Sequence, residues 1–345
     1  MMGAASALVG STPGHVAVVV VATLLIWAGS SWLEAAAEQL SAHYGLPAVV
    51  QGSIVVAIGS SFPELLSVLV TALDGSFGLG VGAIVGSAIF NILVVPGLAG
   101  ITTTQPLDAT RTVVYKEAQF YMLAVSTLLL TFALAVIYAP IPGGDPLDGA
   151  VTRPLALVPL LLYGLYLFIQ WQDVGDHDPT TDTTDVDVPR AWARLAAGLA
   201  AISVAVELLV GAVTGLAATF DIPSFLAGVT ILAAATSLPD ALVSVRAARS
   251  GHGVTSLGNV LGSNTFDLLV AIPIGVLIAG RAPVSFAVAA PLMGVLTLAT
   301  VLLFTVLRTG LSLTDAESYA LLVAYLGFVA WIIGETLGVV GLIRV

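Results

Sequence analysis

The sequence predicts an all-α integral membrane protein of about ten transmembrane helices in two inverted-topology five-helix repeats. Three observations carry this. Hydrophobic residues make up 58% of the 345-residue chain and charged residues 9%, against about 25% charged in soluble domains. Apolar runs long enough to cross a bilayer recur along the chain, without the alternation that marks a membrane β-barrel. And the stretch 52–97 occurs twice, the second time at 228–273.

The two copies register without a gap. Glu64 maps to Asp240 (240 − 64 = 176) and Asn91 to Asp267 (267 − 91 = 176). At this offset Gly52/Gly228, Ala57/Ala233, Ser61/Ser237, Pro63/Pro239, Gly75/Gly251, Gly82/Gly258, Gly86/Gly262, Ser87/Ser263 and Phe90/Phe266 are identical, and Ser60/Thr236 are alike. Similarity among apolar helices matches Leu, Val and Ala. It does not keep Ser, Pro, acid, Gly and Phe in one register, so the chain reads as an internal duplication.

In chain order, the first span is expected at His15–Leu33. No basic segment precedes it, which argues against a cleaved signal peptide. It ends in Glu34 and Glu38, one helical turn apart and read as acids at the membrane interface, with direct ion binding as the lesser alternative. Leu46–Leu73 is longer than one span requires. Pro63 removes a backbone donor and disfavours helical geometry at Phe62. A broken helix follows, with carbonyls freed near Gly59 and Ser60. Asp74-Gly75-Ser76 turns the chain, and Gly78–Thr102 is the third span, whose Gly80, Gly82 and Gly86 permit close helix approach. Val113–Tyr138 and Leu155–Trp171 complete the first half, with a Pro/Gly loop at Pro140–Pro154 between them.

The second half repeats the scheme with spans at Ala191–Ala217, Pro223–Ala248, Val254–Ala279, Pro283–Leu307 and Ser318–Leu342. Glu207 is expected to be the counterpart of Glu34, with a small insertion between it and the repeat. The expected organisation is therefore a first half at 1–171, an acidic linker at 172–190 and a second half at 191–345. The linker lacks EF-hand spacing and reads as solvated. Five spans per half make the halves enter the membrane from opposite sides. With the amino terminus outside, Arg111, Lys116, Arg190, Arg194, Arg246, Arg249 and Arg308 fall at cytoplasmic ends, and Arg153, Arg281 and Arg344 outside. This majority predicts a cytoplasmic linker in a cell-membrane protein.

Glu64, Asp240 and Asp267 lie in the middle of apolar spans. A carboxylate at a bilayer centre costs about 2.5–3.5 kcal/mol on insertion scales. Inversion brings Glu64 and Asp240 together at the midplane, with Asn91 and Asp267 on the neighbouring spans. Hydroxyls of Ser60, Ser61, Ser87, Thr236, Ser237 and Ser263 surround them. Every donor is a hard oxygen, which suits calcium and sodium and not zinc, copper or iron. The chain has no cysteine, which excludes disulfides and thiolate sites. His252 lies at a loop end and is expected to be exposed.

Both copies resemble the α-repeats of the cation/calcium exchanger superfamily. GSSFPE and GSAIFN resemble the α-1 motif of sodium/calcium exchangers, and ATSLPD and GSNTFD the α-2 motif. The resemblance implies four cation positions at the midplane, with Glu64 and Asp240 as principal calcium carboxylates and Asn91 and Asp267 completing the central position. It also implies flanking sodium positions served by the carbonyls of Ala57 and Ala233 and by Ser60, Ser61, Thr236, Ser237, Ser87 and Ser263. Two departures stand out: Ala88 where the family commonly has Asn, which Asn264 retains in the second copy, and Asp240 where many prokaryotic members have Glu. Asp240 with Asp267 resembles the potassium-dependent branch, which leaves potassium co-transport open. The GNA-E pattern of the proton-coupled branch is absent.

The function implied is antiport of calcium against sodium by alternating access, with the first and sixth spans sliding over the core. Potassium-dependent exchange and calcium/proton antiport are alternatives. A cation channel is the rival from another class, disfavoured because channels usually build acid rings from several subunits. An intramembrane enzyme would want a His or Cys in the repeat cores, and there is none. The expected partners are calcium and sodium, potassium in the alternative, and the lipid bilayer. No resident cofactor, obligate protein partner or nucleic acid is expected: ten basic residues are scattered with no basic run. The net charge of −11 with Lys116 as the only lysine suggests an extreme halophile.

Overall fold

A computed structural model of the protein describes residues 11–44, 57–103, 106–111, 113–174 and 187–341. Helix α1 spans Thr12–His43, running past the expected end at Leu33. Its apolar stripe continues through Ala36, Ala37 and Leu40, all buried, while Glu38 stays exposed. The second span is described from Ala57. Short α2 (Ala57–Ser60) and α3 (Phe62–Leu73) meet at Ser61. Pro63 stands in the first turn of α3, where its missing N–H would have had no helical partner. Helix α4 follows at Phe77–Ile101. Strand β1 (Leu107–Asp108), a π-helical turn (Val113–Glu117), α5 (Ala118–Tyr138), β2 (Asp148–Thr152) and α6 (Arg153–Val174) complete the half.

The second half opens with α7 (Val188–Phe220). Its broken span consists of α8 (Ser224–Ala227), a π turn (Gly228–Leu232) and α9 (Ala233–Thr236), then α10 (Leu238–Arg249), bent by 44° at Ser237. Helix α11 (Gly253–Phe266), a second π turn (Asp267–Ala271) and α12 (Ile272–Ala279) form the next span. Strand β3 (Arg281–Ser285), α13 (Phe286–Arg308), β4 (Ser312–Leu313) and α14 (Asp315–Thr336) close the chain.

Among the described residues, eight helices are individually long and apolar enough to cross a membrane, and the bent α8–α10 segment makes nine. The tenth span is the α2–α3 segment, whose earlier residues lie outside the described set. The molecule is a ten-helix inverted repeat. Two further expected boundaries move. Residues 281–285 form a strand paired with 148–152 rather than the start of a helix, and the last helix stops at Thr336, where Gly338 takes φ +68°. Arg344 lies outside the described residues.

The strands tie the halves together. Strand β1 of the first half pairs antiparallel with β4 of the second, and β3 of the second pairs with β2 of the first. Each two-stranded clip thus takes one strand from each half. The core gathers around α4 and the α11–α12 span, the two most deeply buried spans. Helix α4 crosses the broken span of the second repeat at glycines. A Cβ on Gly82 would collide with the Phe225 carbonyl, one on Gly86 with the Val229 carbonyl, and one on Gly228 with the Leu79 carbonyl.

Helices α1 and α7 pack as a pair, and their apolar cluster also takes in Leu79 and Ala83 of α4 and Ala227, Leu232 and Ala235 of the broken span. Gly29 lies against Gly198 and Ile202. Their buried faces share the 176-residue register: Ala22, Ile26, Leu33, Ala36, Ala37 and Leu40 recur as Gly198, Ile202, Leu209, Ala212, Val213 and Leu216. The duplication therefore extends through these helices without an insertion. This corrects the expected pairing of Glu34 with Glu207: Glu207 is exposed, and the residue in register with Glu34 is the buried Val210.

Candidate cation site

The break in each repeat carries the acid. Restarting at Ser61 and Ser237 puts Glu64 and Asp240 in the first turns of α3 and α10. Helix N-termini favour anionic side chains. Both acids have no exposed surface, and the same holds for Asp267, Asn91, Ser60, Ser61, Ser87, Thr236, Ser237 and Ser263. Asp267 opens the π turn that interrupts its span. Such turns often accompany functional positions.

The donors join across the halves. Ser237 Oγ donates to Ser87 Oγ at 2.6 Å, and Ser87 Oγ donates to Glu64 Oε1 at 3.4 Å. Asn91 Nδ2 donates to Asp240 Oδ2 at 3.0 Å and to Asn264 Oδ1 at 3.1 Å. Asn264 donates in turn to the Ala88 carbonyl at 3.3 Å. Glu64 lies close enough to Asp267 and Asp240 for their charges to act on it. Ser60 and Ser263 approach Asp240, and Ser61 approaches Asp267.

Two of the predicted hydroxyls spend their protons on their own helices: Thr236 Oγ1 donates to the Leu232 carbonyl and Ser263 Oγ to that of Val260. Their oxygen lone pairs remain as acceptors. The Ala233 carbonyl accepts from Ser237 N at 3.0 Å. Ala57 opens α2, and its side chain lies outside the described set. His252 is exposed at the start of α11.

Several buried oxygens have no hydrogen-bond partner among the described residues: Glu64 Oε2, Asp240 Oδ1, Asn91 Oδ1, Ser61 Oγ and both carboxylate oxygens of Asp267. Buried polar atoms left unpaired are costly. Here they gather on residues from both repeats, and a hard cation is the ligand that would satisfy them. No three Asp, Glu, His or Cys side chains among the described residues form a metal-ligating group. The acceptors are instead spread over acids, an amide and hydroxyls.

Sequence reasoning left two residues outside the site. Asn264, in register with Ala88, bridges to Asn91. Its motif signal was present, as the polar member of GSNTFD. Tyr121 on α5 is fully buried and close to Asp267 and Asn264. A tyrosine in an apolar run carries no sequence signal of such a place.

Two inverted repeats whose broken helices meet around buried oxygens define an inverted-repeat membrane carrier. A family model described as sodium/calcium exchanger protein matches residues 14–172 and 190–334, and the chain belongs to that family. It is 30% identical over 258 residues to an uncharacterised membrane protein of Methanocaldococcus jannaschii, covering 73% of this chain and 78% of that one. It is also 30% identical over 270 residues to the putative antiporter CaxA of Alkalimonas amylolytica, covering 74% and 78%. A solved structure of the sodium-calcium exchanger NCX_Mj, from crystals soaked with sodium and strontium, matches with a TM-score of 0.64 at 25% identity, covering 92% of this chain and 97% of that one.

Proposed function

We propose that this protein is a sodium/calcium antiporter in which Glu64 and Asp240 are the principal calcium carboxylates. Asn91 and Asp267 complete the central position, and Ser60, Ser61, Ser87, Thr236, Ser237, Ser263 and the carbonyls of Ala57 and Ala233 serve sodium. The observation that carries this is the pair of hydrogen-bond chains Ser237–Ser87–Glu64 and Asn264–Asn91–Asp240, which join residues of both repeats in a region with no exposed surface. Calcium and sodium compete for the same oxygens, so one leaves before the other binds. Alternation follows when the α1–α7 pair, which meets α4 and the α8–α9 segment through apolar side chains, slides across the core.

In this reading the amino terminus lies outside a cell membrane and the 172–190 linker lies in the cytoplasm, by the distribution of basic residues. The Arg246 end of α10 is then the inner end. Purified protein in sodium-loaded vesicles should take up calcium, and uptake should stop when the sodium gradient is removed. Calcium uptake independent of sodium overturns the assignment. A second reading, potassium co-transport, is favoured by Asp267, a buried acid with no partner for either oxygen among the described residues.

A further inference from the structure

Glu34 has no part in the central site, yet it is the one acid of the α1–α7 pair turned toward the core. It sits on the buried stripe of α1 with its Cγ against Gly59, 3.9 Å from where a Cβ would stand there. Gly59 belongs to the last turn of α2, just ahead of the break at Ser61. Glu34 Oε1 is buried without a hydrogen-bond partner among the described residues. Asp240, fully buried, has its Oδ1 in the same condition. The charged groups whose fields reach Glu34 are Asp240, Arg246 and Glu38.

Packing does not require an acid here. The register-matched residue of the other half is Val210, buried at 3% exposure, so an apolar side chain fills the equivalent place. A carboxylate there instead costs free energy on insertion, and of the three charges acting on it Arg246 alone is positive.

We propose that Glu34 is a second, weaker cation-binding carboxylate, set between Asp240 and the Arg246 end, that holds calcium on its way between the central site and that side of the membrane. The side-chain oxygens available are those of the Glu34 carboxylate and Asp240 Oδ1, hard donors suited to calcium. Arg246, exposed at the end of α10, balances the Glu34 charge while no cation is held. Because α1 belongs to the sliding pair, the position exists on one side only: the other half offers Val210. This rests on the antiport reading for its role and not for its chemistry.

Calcium titration of the purified, sodium-free protein in detergent tests the chemistry without transport. The native protein should show a weaker component beside the tight one. Glu34→Gln and Glu34→Val should lose only the weaker component, and Glu34→Asp should keep it. Titrations of Glu34→Gln indistinguishable from native overturn the proposal. In vesicles with uniformly oriented protein, Glu34→Gln should raise the half-saturating calcium concentration about 10-fold, or about 1.4 kcal/mol, from the Arg246 side. From the opposite side the change should stay under about twofold. An equal shift from both sides, or none, also overturns it. Absence of exchange by the native protein would sink the antiport reading and leave the titration to decide this one.

Discussion

At the Leu73 end of the molecule, Phe62, Leu66 and Val70 repeat at every fourth residue along α3 and pack against the apolar cluster of α1 and α7. At the other end, 176 positions on, α10 presents Leu238, Leu242 and Arg246 in the same register. The first two keep the apolar character, and the third replaces a valine with an exposed cation. None of the three joins that cluster among the described residues. On the α3 side the hydrophobic stripe runs on to Val70. On the α10 side the stripe stops a turn short, at Leu242, and the exposed Arg246 follows. A duplicated gene supplied the same backbone twice, and the side chains have diverged where the two halves face different sides. The difference is what an alternating carrier needs: one shared centre for the ion, unequal doors.

The largest expected effect falls on what the halves share. If the centre is symmetric in use, Glu64→Ala and Asp240→Ala should each reduce sodium-dependent calcium flux by more than about 100-fold, since each removes a charged ligand and leaves buried donors unpaired. Loss from one substitution and retention from the other would make the centre one-sided and break the comparison at its root.

The next effect separates the halves. Gly82 and Gly258 are equivalent in sequence, but a Cβ on Gly82 meets the Phe225 carbonyl and one on Gly258 meets nothing within 4 Å. Gly82→Ala should destabilise the protein by about 1–3 kcal/mol through overpacking, and Gly258→Ala should change it by less than about 0.5 kcal/mol or raise its stability. Thermal unfolding in detergent reads both. Equal losses would mean that the core crossing is as tight in the second repeat as in the first.

These cases mark what the sequence could disclose. The register, the breaks at Ser61 and Ser237, and the three acids were legible because each is a polar or proline signal on an apolar background, twice over. The inward turn of Glu34, with its Oε1 buried, was not. One acid near the end of an apolar run reads as an interface residue, and only the stripe through Ala36, Ala37 and Leu40 turns it inward. The β2–β3 clip was hidden too, because its residues 281–285 border an apolar helix and their partners lie 129 to 137 positions away (281 − 152 and 285 − 148). Tertiary pairing decides such segments, and local composition does not.

A smaller effect bears on the doors themselves. The chain has no cysteine, so Val70→Cys and Arg246→Cys each provide a single thiol at equivalent positions. In this conformation Arg246 is exposed and Val70 half-buried. A membrane-impermeant maleimide applied to purified protein should label the thiol at 246 several-fold faster. Saturating sodium and saturating calcium should move the two rates in opposite directions if α1 and α7 slide as a pair. Parallel changes would replace alternation with a general loosening.

The smallest expected effect concerns Asp267, where the repeats differ in charge: the first has Asn91, the second an acid. Asn91 is engaged with Asp240 and Asn264 at 3.0 and 3.1 Å, whereas neither oxygen of Asp267 has a partner among the described residues. A monovalent cation at Asp267 would satisfy those oxygens and offset a charge that otherwise acts on Glu64. Potassium should then stimulate calcium flux of the native protein by about twofold or more, of the order that a few tenths of a kcal/mol would produce. Asp267→Asn should restore the symmetry of the repeats and remove the stimulation while leaving sodium-driven flux measurable. Equal native flux with and without potassium would leave Asp267 to sodium or to a proton. The charge difference between the repeats would then tune the central site and bind no third ion.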